Sequence, residues 1–437
     1  MKIDFLLDSL TNNENKEAVI TDTETYTFND IKKSYIDAKE FLKNNGIFQG
    51  SIVSLISDFN LKSIALLIAL VENDNIIVPI SPTIKTIDKY IQISQTQFVI
   101  TGDKVEKTGT EITHELLKKV KAGGLILFSS GTTGEPKAAL HDLSLLLEKF
   151  KKPGKVLKTI TFLLFDHIGG FNTLFHALSN GGTIVTISSR DPDVVCKVIE
   201  KNKVELLPCS PTFLNLLLLN RVYEKYDLSS LNLITYGTEP MPQSTLDILC
   251  KIFPNTTLKQ TYGLSEVGIT GTKSEKSDSL FMKIGGEGVE TKIIDDILYI
   301  KTKSVMLGYL NAPNPFDEDG WFCTKDKVEV REDGYMKILG RTTDIINVGG
   351  EKVYPNDVES VLLQFEGVKD VRVYGEENAF MGKVVAAEVS VEPQNNNKEF
   401  LKQLRIFCVK NLERYKIPVN FKLVEEDLFS ARMKKRR

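Results

Sequence analysis

The sequence predicts a chain built from two units. The first is a large N-terminal α/β unit of layered sheets and helices that ends in a small β region. The second is a small C-terminal α+β unit. Three observations predict this. Short apolar runs alternate with helical runs over the first 280 or so residues, the pattern of parallel sheets covered by helices. From about residue 285 the apolar residues recur with period two, as in half-exposed antiparallel strands. After Gly340–Asp344 a short mixed segment begins. At 437 residues the chain is also too long for a single compact core.

The elements follow in order. SIVSLIS, with Leu55 and Ile56, reads as a strand, and LKSIALLIALVEN as a buried helix. IIVPI, QFVIT and LILF are short apolar strands bounded by turn residues. ITFLLF, TIVTI and VELLP continue the strand series, with SPTFLNLLLLN as a helix. ILYIK, KVEVRE and YMKILG supply the period-two strands. Beyond them PNDVESVLLQF and KEFLKQLRIFCVKNL read as helices, and VRVYG and VVAAEVSV as strands. The boundary is expected at Arg341–Asp344, giving units 1–341 and 342–437.

Composition narrows the function. The net charge of −3 argues against a broad nucleic-acid surface, which needs a basic excess. Five widely spaced cysteines (Cys196, Cys209, Cys250, Cys323, Cys408) and four scattered histidines show no metal-ligand spacing. The cysteines read as reduced thiols of a cytoplasmic protein. The N-terminus lacks the apolar core of a signal peptide, and no apolar stretch is long enough to span a bilayer.

The chemistry begins after LILF. Ser129, Ser130, Gly131, Thr132, Thr133, Gly134, Glu135, Pro136 and Lys137 form a loop of small and hydroxyl residues closed by a cation. Glycines let backbone N–H groups approach phosphate, the hydroxyls donate, and Lys137 adds a point charge. A P-loop NTPase is excluded by spacing, since no Gly-Lys-Ser/Thr follows Gly134. Further on, Gln260, Thr261, Tyr262, Gly263, Leu264, Ser265 and Glu266 place a flat ring beside a glycine and a hydroxyl beside a carboxylate. Such a set can hold a base, a phosphate and a magnesium ion, which prefers oxygen ligands. Trp321–Asp326 ends in a carboxylate that can accept two hydroxyl hydrogen bonds at once.

Taken together and in this order, these strings resemble the acyl-adenylate-forming superfamily, which includes acyl-CoA synthetases, luciferases and nonribosomal-peptide adenylation domains. The resemblance runs over about residues 16 to 437. It implies that residues 129–134 and Lys137 hold the β- and γ-phosphates of ATP. It implies that Tyr236, Gly237, Thr238 and Glu239 line the adenine and acyl pockets. By the same match Thr261, Tyr262 and Gly263 meet adenine, Ser265 the α-phosphate, and Glu266 the magnesium. Asp326 would bind the ribose, with Arg341 nearby. Thr343 falls at the hinge, and Gly349 and Gly350 in the loop lining the thiol tunnel. The C-terminal unit would rotate about Thr343 between two half-reactions.

The family's catalytic lysine matches Lys434, with Lys435 as the alternative register. A mobile cation there would stabilise the charge developing between the carboxylate and the α-phosphorus. Asp166, His167 and Gly170 fall in the acyl-pocket segment. Asp166 would pair an amino-acid ammonium, whereas His167 would gate a neutral acyl or aryl group. Five positions depart from the family pattern: Ala138, Lys325 and Met433 stand where it has glycine, Thr343 where it has aspartate or lysine, and, in the Lys434 register, Lys435 where it has an apolar residue.

The resemblance implies an AMP-forming acid–thiol ligase using ATP and Mg²⁺. Its acceptor would be coenzyme A or the phosphopantetheine of a carrier protein. Two other classes stay open: a nucleotide-binding protein without catalysis, and a phosphotransferase that releases ADP.

Overall fold

The computed structural model describes residues 3–130, 135–378, 380–429, 433 and 435. The architecture is mixed α/β, with a large N-terminal part and a small C-terminal part. Two seven-stranded sheets dominate the first part. One carries the parallel strands Thr257–Gln260, Leu233–Tyr236, Leu206–Cys209, Lys158–Ile160, Thr183–Val185 and Glu17–Ile20, and an antiparallel edge, Thr25–Thr27. The other has a parallel centre, Gly124–Ser130, Ile76–Ile80, Ile52–Ile56 and Phe98–Thr101. Antiparallel strands flank it: Pro136–Asp142 and Gly308–Tyr309 on one side, Lys104–Lys107 on the other.

Helices Phe28–Asn44, Leu61–Glu72 and Ile168–Ser179 contribute to the largest hydrophobic core cluster. Leu61–Glu72 is buried continuously from Ser63 to Val71, so its near-uniform apolar sequence follows from its place. Asn60 and Ser63 close its N-terminus with a capping box. A second cluster packs helices Pro192–Asn202, Pro211–Leu219 and Gln243–Ile252 against the first sheet.

The period-two segment forms an antiparallel six-stranded sheet that includes Ile297–Thr302, Phe322–Val330 and Met336–Arg341. Residues 346–424 build a separate five-stranded sheet, with a core of its own against helices Pro355–Leu362 and Lys398–Asn411.

One expected strand is shorter than its sequence suggests. Lys158–Ile160 ends before Phe162, although Phe162, Leu164 and Phe165 are all buried. The chain instead turns into the helix at Ile168, and those apolar side chains fill core from a loop. Among the described residues no helix is long and apolar enough to cross a membrane.

Candidate functional site

The site gathers at the C-terminal ends of the parallel strands, where open α/β sheets leave a crevice for ligands. Strands Gly124–Ser130 and Pro136–Asp142 pair antiparallel, Ser129 opposite Lys137 and Ser130 opposite Pro136. They bracket the loop from both sides. Gly131, Thr132, Thr133 and Gly134 lie outside the described residues. Asn311 anchors the second strand: its amide oxygen accepts from Ala138 N–H at 3.0 Å, and its Nδ2 donates to the Pro136 carbonyl at 2.8 Å.

Strand Leu233–Tyr236 runs into Gly237, Thr238 and Glu239. Its neighbour Thr257–Gln260 runs into Thr261 and Tyr262. The ladder continues one step past the strands, Thr261 N–H donating to the Tyr236 carbonyl at 2.8 Å. Thr238 has φ of 75°, a left-handed conformation unusual for a β-branched residue. The Tyr236 ring is fully buried within the core under the strand.

Glu239 uses both carboxylate oxygens on the protein. Oε1 accepts from Thr212 N–H at 2.8 Å, in the first turn of helix Pro211–Leu219, a favourable place for negative charge. Oε2 accepts from Lys435 N–H at 3.2 Å.

Tyr262 is buried, and its hydroxyl donates to Asp326 Oδ2 at 2.5 Å. Asp326 lies on strand Phe322–Val330, directly opposite Arg341 in the register, and Arg341 Nε sits 3.4 Å from Asp326 Oδ1. Burial raises the Asp326 pKa, while Arg341 and the tyrosine hydroxyl pull it down. Lys325, in the preceding position, has φ of 61°.

Ser265 and Glu266 occupy the turn between Gly263–Leu264 and Gly268–Ile269. His141 is fully buried, and burial lowers its pKa to about 4. It is therefore neutral near pH 7, and its Nε2 donates to the Ser265 carbonyl at 2.6 Å. The Glu266 carboxylate accepts from the Tyr309 hydroxyl. Burial, and then the Glu266 charge, raise the Tyr309 pKa. Lys137 Nζ lies 5.6 Å from the centre of the Tyr309 ring, a cation–π approach. Tyr309, His141 and Asn311 thus support the site without being named by the motif strings. No signal in the sequence marks Tyr309 or Asn311; the pairing of Gly308–Tyr309 with Pro136–Asp142 brings them to the phosphate-loop strand.

In the acyl-pocket segment, His167 caps helix Ile168–Ser179, its Nδ1 accepting from Gly169 N–H at 3.1 Å. Asp166 is 3% exposed and stands in the field of Arg190, whose Nε donates to the Phe162 carbonyl at 2.6 Å. A Cβ at Gly170 would lie 2.0 Å from the Leu164 carbonyl oxygen, so only glycine lets the helix start so close to the loop.

Past Arg341, Thr343 is exposed, and its hydroxyl donates to Asp344 at 3.0 Å. Gly349 and Gly350 form a two-residue turn between Ile346–Val348 and Glu351–Val353. Their φ values of 58° and 100° are what such a hairpin turn demands. Lys434 lies outside the described residues. Lys435 Nζ is 2.9 Å from Glu359 Oε2 and 3.6 Å from Asp370 Oδ1.

Five stretches distant in sequence therefore meet: 137–141, 236–239, 261–266, 326–341, and the tail at Met433 and Lys435. Glu266 can offer oxygen to a divalent cation. Among the described residues no cluster of three or more His, Cys, Asp or Glu side chains forms a metal cage. A single carboxylate fits magnesium held partly by substrate phosphates.

Comparison with known proteins agrees with this layout. The model of the AMP-binding enzyme family matches residues 7–310, and that of the AMP-binding enzyme C-terminal domain matches 357–435. A 2-succinylbenzoate–CoA ligase of Listeria monocytogenes is 26% identical over 79% of this chain and 78% of its own length. The long-chain-fatty-acid–CoA ligase FadD13 of Mycobacterium tuberculosis is 28% identical over 68% of this chain and 64% of its own length. Six further curated relatives match over 58–64% of their length. Among solved structures, the anthranilate CoA ligase AuaEII in complex with anthranoyl-AMP superposes with a TM-score of 0.83. It covers 99% of this chain and 95% of that one, at 20% identity. With both family models matched along its length, the chain belongs to the AMP-binding enzyme family.

Proposed function

We propose that this protein uses Mg-ATP to activate a carboxylic acid and passes the acyl group to the thiol of coenzyme A. The observation that carries the reading is the convergence of the phosphate-loop strands, Tyr262, Glu266, Asp326 and the C-terminal tail at one edge of the sheets. The matched relatives are acyl- and aryl-CoA ligases, which supports the same reaction class.

In the first half-reaction the substrate carboxylate attacks the α-phosphorus and pyrophosphate leaves. Magnesium would neutralise charge on the phosphate oxygens, with Glu266 as its protein ligand. Asp326 would accept the ribose hydroxyls, its ionised form favoured by Arg341. Tyr262 would present the edge of the adenine site while its hydroxyl holds Asp326 in place. Ser265 would meet the α-phosphate, with its backbone fixed by neutral His141. In the second half-reaction the thiol attacks the acyl carbonyl, and AMP leaves with its phosphate oxygen. Rotation about Thr343 would bring the Gly349–Gly350 turn toward the acyl group.

Two observations support Lys434 rather than Lys435 as the lysine of adenylation. Met433 has φ of 49°, the conformation for which glycine is the usual residue. That supports the register in which Met433 stands for the family glycine and Lys434 for the lysine. Lys435, in turn, is committed to buried carboxylates. For the acyl group, the Arg190 guanidinium feels the field of buried Asp166, and a protein cation in that neighbourhood supports a neutral acid over one bearing an ammonium.

The decisive experiment is nucleotide analysis with a panel of fatty, aryl and amino acids. Acid-dependent exchange of labelled pyrophosphate into ATP is expected, and AMP should accumulate once coenzyme A is added. Production of ADP with no exchange for any acid would defeat the proposal.

A further inference from the structure

Met433 and Lys435 touch both parts of the molecule. Toward the N-terminal part the Met433 side chain packs against the second core cluster and the backbone is hydrogen-bonded. Ser210 Oγ donates to the Met433 carbonyl at 2.5 Å, and Lys435 N–H donates to Glu239 at 3.2 Å. Toward the C-terminal part the Lys435 backbone bridges antiparallel to Phe429, and its ammonium pairs with Glu359 and Asp370. The three side chains are 10%, 1% and 5% exposed.

Both carboxylates are built into their elements. Glu359 sits on helix Pro355–Leu362, and its Oε1 accepts from Val373 N–H at 3.1 Å. Asp370 sits on strand Val368–Asn378, and its Oδ1 accepts from Val371 N–H at 2.8 Å. Two buried acids side by side call for a cation, and the tail provides it. Helix and strand also dock on the N-terminal part nearby. Ser244 Oγ donates to the Ser360 carbonyl at 3.0 Å, and Asn215 Nδ2 to the Lys369 carbonyl at 3.1 Å.

We infer that Lys435 is a positioning residue: it clamps the tail to the body of the C-terminal part through Glu359 and Asp370, so that docking on Ser210 and Glu239 sets the register of the tail for adenylation. The inference rests on the adenylation reading. Residues 355–435 contain every member of the ionic clamp, so a rotation that breaks the Ser210 and Glu239 contacts carries the clamp along intact. The tail then moves as an arm of the C-terminal part rather than as a loose strand. Glu239 acquires a role in receiving that arm, in place of direct contact with ATP.

Removing Lys435 alone would strand two buried acids, so the test replaces the whole cluster in the full chain. Lys435→Met with Glu359→Gln and Asp370→Asn keeps the acceptors for Val373 and Val371 and removes all three charges. The kcat for acid-dependent adenylation should fall about a hundredfold, the scale of a reactive group misplaced by an ångström. Thioester formation from supplied acyl-AMP should be unchanged. Lys435→Arg should retain most of the adenylation rate. Hydrogen exchange of the C-terminal peptide should accelerate in the triple variant, a readout that needs no substrate.

Adenylation and tail exchange both at wild-type rates would overturn the clamp. So would equal loss of both half-reactions in a folded variant. A wild-type chain that activates no acid would instead sink the adenylation reading, and tail exchange would still report on the clamp.

Discussion

Glu266 and Asp326 begin alike and end differently. Each is a carboxylate with one oxygen on a tyrosine hydroxyl, Tyr309 for the first and Tyr262 for the second. Asp326 is 6% exposed and has Arg341 at 3.4 Å. Glu266 is half-buried and, among the described residues, is in no ion pair, the Lys137 ammonium lying over the tyrosine ring instead. The difference teaches what each can receive. For the carboxylate beside a guanidinium, burial raises the pKa overall and Arg341 opposes that rise, so it can accept neutral hydroxyls without calling for more charge. A carboxylate supported only by a neutral phenol keeps its charge for a metal ion.

Removing the Glu266 charge should separate the two corners most. Glu266→Gln keeps an acceptor for Tyr309 and loses the charge. Adenylation should drop about a hundredfold, the scale of one lost electrostatic partner at a phosphoryl centre. The loss should shrink as magnesium is raised. Pyrophosphate exchange measured against magnesium concentration checks this, and a wild-type rate at low magnesium would remove Glu266 from the metal's neighbourhood.

Asp326→Asn should have a smaller and different effect. The amide oxygen still accepts from Tyr262, but the attraction to Arg341 is gone and the site is left with an unmatched cation. The KM for ATP should rise about tenfold, close to the ~1.5 kcal/mol of one charge-assisted hydrogen bond, with the magnesium dependence unchanged. Initial-rate kinetics at varied ATP would show it. A change in magnesium requirement instead of KM would mean that the two corners do not divide the work as argued.

Most of the layout behind these corners was legible in the sequence, because it rests on local signals. The apolar run of Leu61–Glu72 and the period-two run Phe322–Val330 name their own elements. Tyr262 and Asp326 stand in strings that resemble the family's adenine and ribose motifs. What the strings could not supply was pairing across long separations. Tyr309 meets Glu266 from 43 residues away and His141 meets Ser265 from 124, and no periodicity encodes such contacts. The Lys435 ion pairs were hidden for the same reason: the motif match assigns the lysines of the tail to catalysis, and nothing local in the sequence pairs Lys435 with Glu359 and Asp370. ITFLLF misled in the other direction, because burial alone cannot tell a strand from a core-filling loop.

The smallest expected effect concerns Lys325, next to the Asp326 corner. Its φ of 61° lies in the left-handed region, which costs a residue with a Cβ roughly 1–2 kcal/mol. Glycine removes that strain but adds roughly 0.5–1 kcal/mol of unfolded-state entropy. The side chain is exposed, so nothing packed is lost. The backbone contacts stay, including the Lys325 carbonyl accepting from Thr342 N–H at 2.9 Å. Lys325→Gly should therefore stabilise the protein by about 0.5–1 kcal/mol in urea unfolding, with both corners and adenylation unaltered. Met433, at φ of 49°, offers the contrast. Its side chain packs against the second core cluster, so glycine there would lose buried surface along with the strain and bring no such gain. A Lys325→Gly variant less stable than wild type would show that the lysine side chain contributes to the turn, and that the corner is not held by backbone and Asp326 alone.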